Sequence, residues 1–515
     1  MDETLIDLLR ADLESAEYRV PAVRTLLGAE ADDARQRGVF APARRVLRSR
    51  EASPLGSLIL ALLLAEPVTV ETLDAALPRL GARGAEALGL VGADERGLLR
   101  AALSLNPVQL ADARAEGPEH LEHWWIISDL DDQLRRAPAR PDHVMGVGGA
   151  TRSLIAQLPG DGAFRSLDLG TGCGVVALHL ARRGPVIASD ISGRALSLAR
   201  ANARLNGLHE RIEFREGDLF SPVAGERFDL IASNPPFVIT PQGDAQVPRY
   251  EYRDGGVPGD GLAERVVREA PAHLERHGTL LCLANWETPW GGDGLRRAGE
   301  WIEAAAAEHG PLAAWVVERD RLSPMQYAET WARDGGARPG EARFETLIEA
   351  WLQDFESRNV VSIGLGSIRL SRVPHGAKPP AIRLEQAAGA YHHPPGGSLE
   401  SAFAHAIAAE QLSDEQLLAR RWRLDGAVAE LREHRPGEES PRAISLSTDR
   451  PIARTVVADT LLAAAVGACD GELTLGQIAD ALATLLEVDA GATAEALSQG
   501  VRELVWFGML VPAYE

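Results

Sequence analysis

Lysine is almost missing from this chain of 515 residues: Lys378 is the only one, and every other fixed side-chain cation is arginine. Cysteine is nearly as scarce. Cys173, Cys282 and Cys469 lie far apart without a C-x-x-C pair, which argues against a disulfide framework and a thiolate zinc site. Long apolar runs are lacking too. The longest, Leu55 to Ala65, is interrupted by Ser57 and stopped at Glu66-Pro67; a bilayer span needs about 20 residues, so this run reads as a buried helix. The opening Met1-Asp2-Glu3-Thr4 is acidic and has no apolar signal core, which predicts a cytoplasmic protein with no membrane partner.

Positive charge is also short. The chain carries 74 acidic and 53 basic side chains, a formal net charge of −21, and each third is negative. That removes the electrostatic footprint of a protein that grips long nucleic acid. Arg44, Arg45, Arg48 and Arg50 form a local cluster that reads as a solvated helix face, although such a patch leaves a structured RNA open as a partner. What is present is ordinary for a globular protein: 45% apolar and 25% charged residues. At roughly 100–200 residues per domain, three or four domains are expected.

Residues 1–140 read as mostly helical. Leu5, Leu8, Leu9 and Leu13 are at helical spacing, and apolar stretches follow at Leu58–Leu64, Val70–Ala76 and Ala85–Leu90. Candidate strands Leu98–Leu105 and Trp124–Ser128 complete a winged-helix-like pattern, which the acidic balance assigns to protein contact. Arg136–Pro141 reads as a linker. From residue 141 to 373 strands alternate with helices: strands Ser166–Leu169, Val186–Ser189, Ile212–Arg215, Phe228–Ser233, Thr279–Ala284, Ala313–Glu318 and Val360–Ser371, with helices Val175–Arg183, Gly193–Leu205, Leu262–Arg276, Gly294–Glu308 and Glu341–Glu356 among them. This predicts an α/β, Rossmann-like, seven-stranded parallel sheet covered on both faces. Breaker-rich segments 373–380 and 392–397 open a last region, 374–515, read as helical at Leu399–Glu410, Asp414–Leu424, Val456–Gly467, Leu475–Leu486 and Ala494–Phe507.

The first strand of the alternating region ends Asp168-Leu169-Gly170-Thr171-Gly172-Cys173-Gly174, directly before a helix. Glycines allow a tight turn and close backbone approach to a ligand. A dinucleotide loop wants G-x-G-x-x-G, but Val175 stands at the third glycine; the spacing is an acidic residue followed by G-x-G-x-G. This segment closely resembles the class I S-adenosylmethionine (SAM) methyltransferases. The resemblance implies SAM as cofactor, with Asp168, Gly170, Thr171, Gly172 and Gly174 around its amino-acid tail. Asp190, with Ile191 beside it, ends the second strand 20 residues after Gly170, where a carboxylate can accept both ribose hydroxyl protons. After the third strand come Asp218 and Leu219, where the family places an acidic residue against the adenine amino group.

Strand four ends Asn234-Pro235-Pro236-Phe237. This is similar to the N-P-P-[F/Y] signature of methyltransferases acting on planar nitrogens: glutamine amides of proteins or exocyclic amines of nucleobases. A conjugated NH2 is a poor nucleophile because its lone pair is delocalised. The Asn234 side-chain oxygen and the Pro235 carbonyl can accept its two N–H bonds and favour a pyramidal nitrogen in the transition state. Pro236 adds rigidity, and Phe237 can stack on the planar group. Asn234 also abuts the cofactor loop. Downstream, Tyr250, Tyr252 and Arg253 lie in a glycine-rich stretch whose layout resembles that of the release factor glutamine methyltransferases, and we read them as a substrate wall. Phe237 stands where those enzymes carry tyrosine.

The run His143–Thr151 is expected to fold over the cofactor. Cys173 reads as a packed side chain, and His392-His393, without a third ligand, as a loop and not a metal site. The stretch Ala468-Cys469-Asp470-Gly471 with its following helices loosely resembles PqqD-type winged-helix peptide binders, which favours a peptide or protein substrate. Together these readings predict a SAM-dependent N-methyltransferase with protein or peptide glutamine as preferred acceptor. RNA or DNA nucleobases and small-molecule amines are the alternatives.

Overall fold

The computed structural model describes residues 1–111, 121–131, 133–135, 140–160, 162, 164–241, 254–373, 381–392 and 395–513. At its centre lie eight strands: β1 (Ser166–Leu169), β2 (Val186–Asp190), β3 (Ile212–Glu216), β4 (Phe228–Ser233), β5 (Leu274–Pro289), β6 (Leu312–Leu322), β7 (Val360–Arg372) and β8 (Ile382–Gln386). They are ordered β8-β6-β7-β5-β4-β1-β2-β3. All four residues of β1 are buried, as a central strand covered on both faces requires. Helices α1 (Val175–Leu180), α2 (Gly193–Leu205), α3 (Gly261–Glu269) and α4 (Gly294–His309) form the crossovers, and α5 (Pro324–Asp334) and α6 (Ala342–Ser357) form a helical hairpin between β6 and β7.

Two details depart from the expected seven-stranded parallel sheet. β7 runs antiparallel to both β5 and β6, because the α5–α6 connection returns the chain at the same end of the sheet without crossing it. An eighth strand, β8, pairs parallel with β6 and lies beyond the expected boundary at residue 373.

The chain reverses its spreading direction between β1 and β4, and ligands of open α/β sheets bind outside the strand ends at such a point. The register makes the crevice. Leu169 is level with Ser189 on β2 and with Ser233 on β4, and Ser233 is level with Cys282 on β5. The turns after β1, β2 and β4 therefore leave the sheet together, while β5 continues past them to Pro289 and forms a wall with β7.

The N-terminal region has seven α-helices from Glu3–Ser15 to Gly81–Ala87, with a π turn at Ile59–Leu63. The expected strand Leu98–Leu105 is split between two ribbons: Leu99–Ala101 pairs with Val91–Ala93, and Ser104–Ala111 with Leu121–Ser128. This region shares one hydrophobic cluster with the α1–α2 face of the sheet. Its docking uses two asparagines on α2 and the open edge of strand Leu121–Ser128. The Asn202 amide accepts from Ile127 N–H (2.8 Å) and donates to Ile127 C=O (2.9 Å); Asn206 does the same with Trp125 at 3.0 and 2.8 Å. Four residues of helix rise about 6 Å and two residues of strand about 6.8 Å, so the amides extend the ladder. Asn202 is fully buried and also donates to the Cys173 carbonyl at 2.8 Å. Asn202→Ala leaves the Ile127 N–H without its partner and should lower unfolding free energy by about 2–4 kcal/mol, measurable as a reduced urea midpoint at unchanged slope.

The C-terminal region mixes helices with strands. The helix expected over Asp414–Leu424 ends at Leu418, and Arg421–Leu424 is a strand. The helix expected from Val456 begins at Thr460, because Asp459 caps it by accepting the Leu462 N–H, and Arg454–Ala458 pairs in a three-stranded sheet with Ala443–Thr448 and Ala429–Glu433. The expected helix Leu262–Arg276 stops at Glu269, where Pro271 enters a 3-10 turn leading into β5. Among the described residues, no helix is long and apolar enough to cross a membrane.

Candidate active site

A cavity of about 350 Å³ opens at the β1/β4 crevice. Gly170, Gly172, Asp190, Asp218, Asn234 and Pro235 are among the residues lining it. The glycine loop has a left-handed backbone at Gly170, Gly172 and Gly174 (φ 78°, 54° and 87°). At Gly174 a Cβ would stand 3.0 Å from the Ala199 Cβ and 3.1 Å from its Cα on α2, so helix packing requires glycine there; a Cβ on Gly172 would meet nothing within 4 Å, which leaves the loop open toward the cavity.

Three carboxylates were expected here, and the structure treats them differently. Asp190 accepts the Gly172 N–H (2.8 Å) and the Ser192 N–H (2.9 Å), so it braces the loop from the end of β2. Asp218 also lines the cavity, is exposed, and pairs with Arg265 of α3 at 3.1 Å. Asp168 lies beneath the loop, 1% exposed, and accepts the Thr171 hydroxyl at 2.6 Å. Burial pushes its carboxyl up to about 7 in spite of the hydrogen bonds from Thr171 and the Ala177 N–H, and the Asp190 charge adds to the rise. A folded pKa above the unfolded value means that the folded state binds the extra proton. The contribution of Asp168 to stability is then full below about pH 4 and is lost as pH rises through about 7. Urea titrations at pH 5 and pH 8 should show wild type losing stability relative to Asp168→Asn over that interval.

Asn234 carries the most informative atom. Its side-chain oxygen is buried without a hydrogen-bond partner, while its Nδ2 makes one long contact, 3.4 Å, to the Thr151 hydroxyl. Native proteins satisfy nearly all buried acceptors, so an orphaned oxygen on a residue that lines a cavity stands out. Pro235 and Pro236 line the same cavity; Ile191, 64% exposed, and Leu219 form further parts of its rim. Phe237 is half-buried, outside the cavity lining, and bridges to Asp254. Asp254 also accepts the Thr240 hydroxyl, so both ends of the following excursion close beside the turn. Tyr250, Tyr252 and Arg253 lie outside the described residues.

His143, Met145 and Gly146 line the cavity, as the expected cover. That strap is fixed by Asp129, which accepts the Val144 N–H (2.8 Å) and forms a two-pronged pair with Arg194 of α2 (2.6 and 2.6 Å). Cys173 is buried, with its thiol pushed up to about 12 chiefly by burial, which suits a packing role. Asp129 and Arg194, like Asn285, Tyr327 and Trp351, carry no motif in the sequence. A signal existed for α5: Ser323-Pro324-Met325-Gln326 is a capping box with proline at the first helical position.

The cavity and the open glycine loop leave room for a cofactor. A family model described as Methyltransferase small domain matches residues 145–292, and residues 15–102 match one described as a domain of unknown function, DUF7059. The chain is 43% identical to the ribosomal protein uL3 glutamine methyltransferase of Bradyrhizobium diazoefficiens over 127 residues, 23% of this chain and 40% of that one. It is 42% identical to the release factor glutamine methyltransferase of Xylella fastidiosa over 134 residues, 24% of this chain and 47% of the other. The chain spans 40–59% of the length of the first three curated relatives it matches. The release factor glutamine methyltransferase of Cereibacter sphaeroides is 32% identical over 236 residues, 41% of this chain and 83% of that enzyme. On that coverage and identity, the chain belongs to the family of class I SAM-dependent methyltransferases that contains the release factor and uL3 glutamine methyltransferases.

Proposed function

We propose that the chain is a SAM-dependent N-methyltransferase whose acceptor is a glutamine side chain of a protein. The observation that carries this reading is the buried, unpartnered side-chain oxygen of Asn234, a residue that lines the cavity. SAM supplies a methyl group activated by its sulfonium. Gly170, Gly172 and Gly174 would hold it through backbone approach, Asp190 through the ribose, and Asp218, Ile191 and Leu219 at the adenine end; Asp168 and Thr171 would keep the loop in shape from below.

Asn234 Oδ1 and the Pro235 carbonyl then accept the two N–H bonds of the glutamine amide. This turns the nitrogen lone pair out of conjugation and toward the methyl carbon, an orienting effect that enzymes use to remove much of a barrier. The amide nitrogen gains the methyl carbon and sheds one proton to water, so no strong base is needed. The acceptor leaves as an N-methylamide and the donor as a neutral thioether. Phe237, which bridges to Asp254 beside the turn, would flank the acceptor.

The acidic surface supports a basic protein over nucleic acid as acceptor, since the net charge is −21. We read residues 1–140 and the region beyond β8 as units flanking the catalytic domain, winged-helix-like in their helix–ribbon order, that present this acceptor in the cytoplasm. Tritium from methyl-labelled SAM, added to total bacterial protein, tests the reading. Label should be protease-sensitive and appear as methylamine after acid hydrolysis. Nuclease-sensitive label would contradict it.

A further inference from the structure

Two successive prolines leave the Asn234–Phe237 turn poor in backbone donors, so little of it can be held by ladder hydrogen bonds. The chain after it runs through buried Val238, Ile239 and Thr240. Ile239 is gripped on both of its backbone polar groups by side chains from the helical hairpin. Its N–H donates to the Tyr327 hydroxyl of α5 at 3.0 Å, and its carbonyl accepts the Trp351 indole N–H of α6 at 2.8 Å. The Tyr327 oxygen also accepts the Asn285 Nδ2 of β5 at 2.9 Å, which ties the grip to the sheet. Around this contact Val238 and Ile239 pack with Tyr327, Phe344, Trp351 and Phe355 in a hydrophobic cluster that also takes in Val360 and Ile363 of β7. The hairpin lies outside residues 145–292, the segment matched by the methyltransferase family model.

We propose that the α5–α6 hairpin is a clamp that sets the position of the Asn234 oxygen and the Pro235 carbonyl, with Tyr327 and Trp351 as positioning residues. The inference rests on the methyltransferase reading. Both side chains fix the peptide groups of a residue five positions beyond Asn234 and touch neither reacting atom. Their effect on the reaction is on where the two acceptors stand when the NH2 arrives, and an ångström of misplacement can cost about a hundredfold in rate.

The test uses the full chain with Tyr327→Phe and Trp351→Phe, alone and combined with Asn234→Ala. The first readout needs no ligand: deuterium exchange in the peptide covering residues 233–241 should speed up about tenfold at the Ile239 amide in Tyr327→Phe. The second is the single-turnover rate of tritium transfer from SAM to total bacterial protein, expected to fall about 10- to 100-fold in each variant with SAM affinity within about threefold. In the Asn234→Ala background, Tyr327→Phe should cost clearly less than it does in wild type, because one of the two acceptors it positions is gone. Unchanged exchange at Ile239, or rate losses that multiply with that of Asn234→Ala, would overturn the clamp. Should Tyr327→Phe not fold, Trp351→Phe decides through the transfer rates, alone and with Asn234→Ala. A wild-type enzyme that transfers no methyl would refute the functional reading, while the exchange rate still decides whether the hairpin holds the turn.

Discussion

Asn234→Ala is expected to lower the rate of methyl transfer about 100- to 1000-fold while SAM affinity stays within a few-fold. The size follows from what one preorganised hydrogen-bonding group aimed at a reacting centre contributes in a water-excluded site. The same substitution should leave folding stability equal to wild type or raise it by about 1 kcal/mol. In the free protein the Asn234 oxygen is buried with no partner, a state that costs about 1–3 kcal/mol, and the side chain's remaining contact is the long one to Thr151. Lower activity together with undiminished stability is the signature of a group kept for its ligand. Single-turnover transfer, calorimetric SAM binding and urea unfolding read the three quantities. A destabilised variant with near-normal transfer would show that Asn234 is a structural residue.

The second large effect is expected at Asp190. Asp190→Ala should weaken SAM binding about 100-fold, with little change in the rate once SAM is saturating. The carboxylate accepts the Gly172 and Ser192 N–H groups, so its loss frees the glycine loop as well as removing the proposed ribose acceptor. Each charge-assisted hydrogen bond is worth about 1.5–3 kcal/mol, and about 2.7 kcal/mol corresponds to 100-fold in affinity. Asp190→Asn keeps the shape and can still accept from one of the two amides, so it should fall between wild type and alanine. Titration calorimetry gives the constants; an alanine variant within threefold of wild type would remove Asp190 from the cofactor site.

The parts of this site that were legible in sequence are those with fixed local chemistry. The acidic-G-x-G-x-G loop needs glycine for its left-handed turns, and Asn234-Pro235-Pro236-Phe237 follows a strand buried at every position but Asp229; both motifs sit where the register of β1 and β4 brings them together. The antiparallel β7 was not legible, because strand direction depends on which end of the sheet a connection returns to. Asp168 shows the limit at a single residue. Its place in the motif suggested contact with the cofactor, yet the side chain turns under the loop to Thr171 and the Ala177 N–H. The Asn202–Asn206 ladder and the grip on Ile239 were invisible for a related reason: each joins residues 75 or more positions apart, and amide or hydroxyl side chains carry no periodic signal. In the C-terminal region Trp422 and Val457 occur within helix-like composition, but pairing along strands decided their state.

In the proposed reaction two acceptors, one a side-chain oxygen and one a backbone carbonyl, hold a flat NH2 at the β1/β4 crevice. A crystal structure of the full chain with S-adenosylhomocysteine and glutamine decides this. The glutamine amide nitrogen is expected about 3 Å from both Asn234 Oδ1 and the Pro235 carbonyl. An amide oxygen facing Asn234 Nδ2, or an Asn234 side chain rotated so that its oxygen meets solvent, would contradict it.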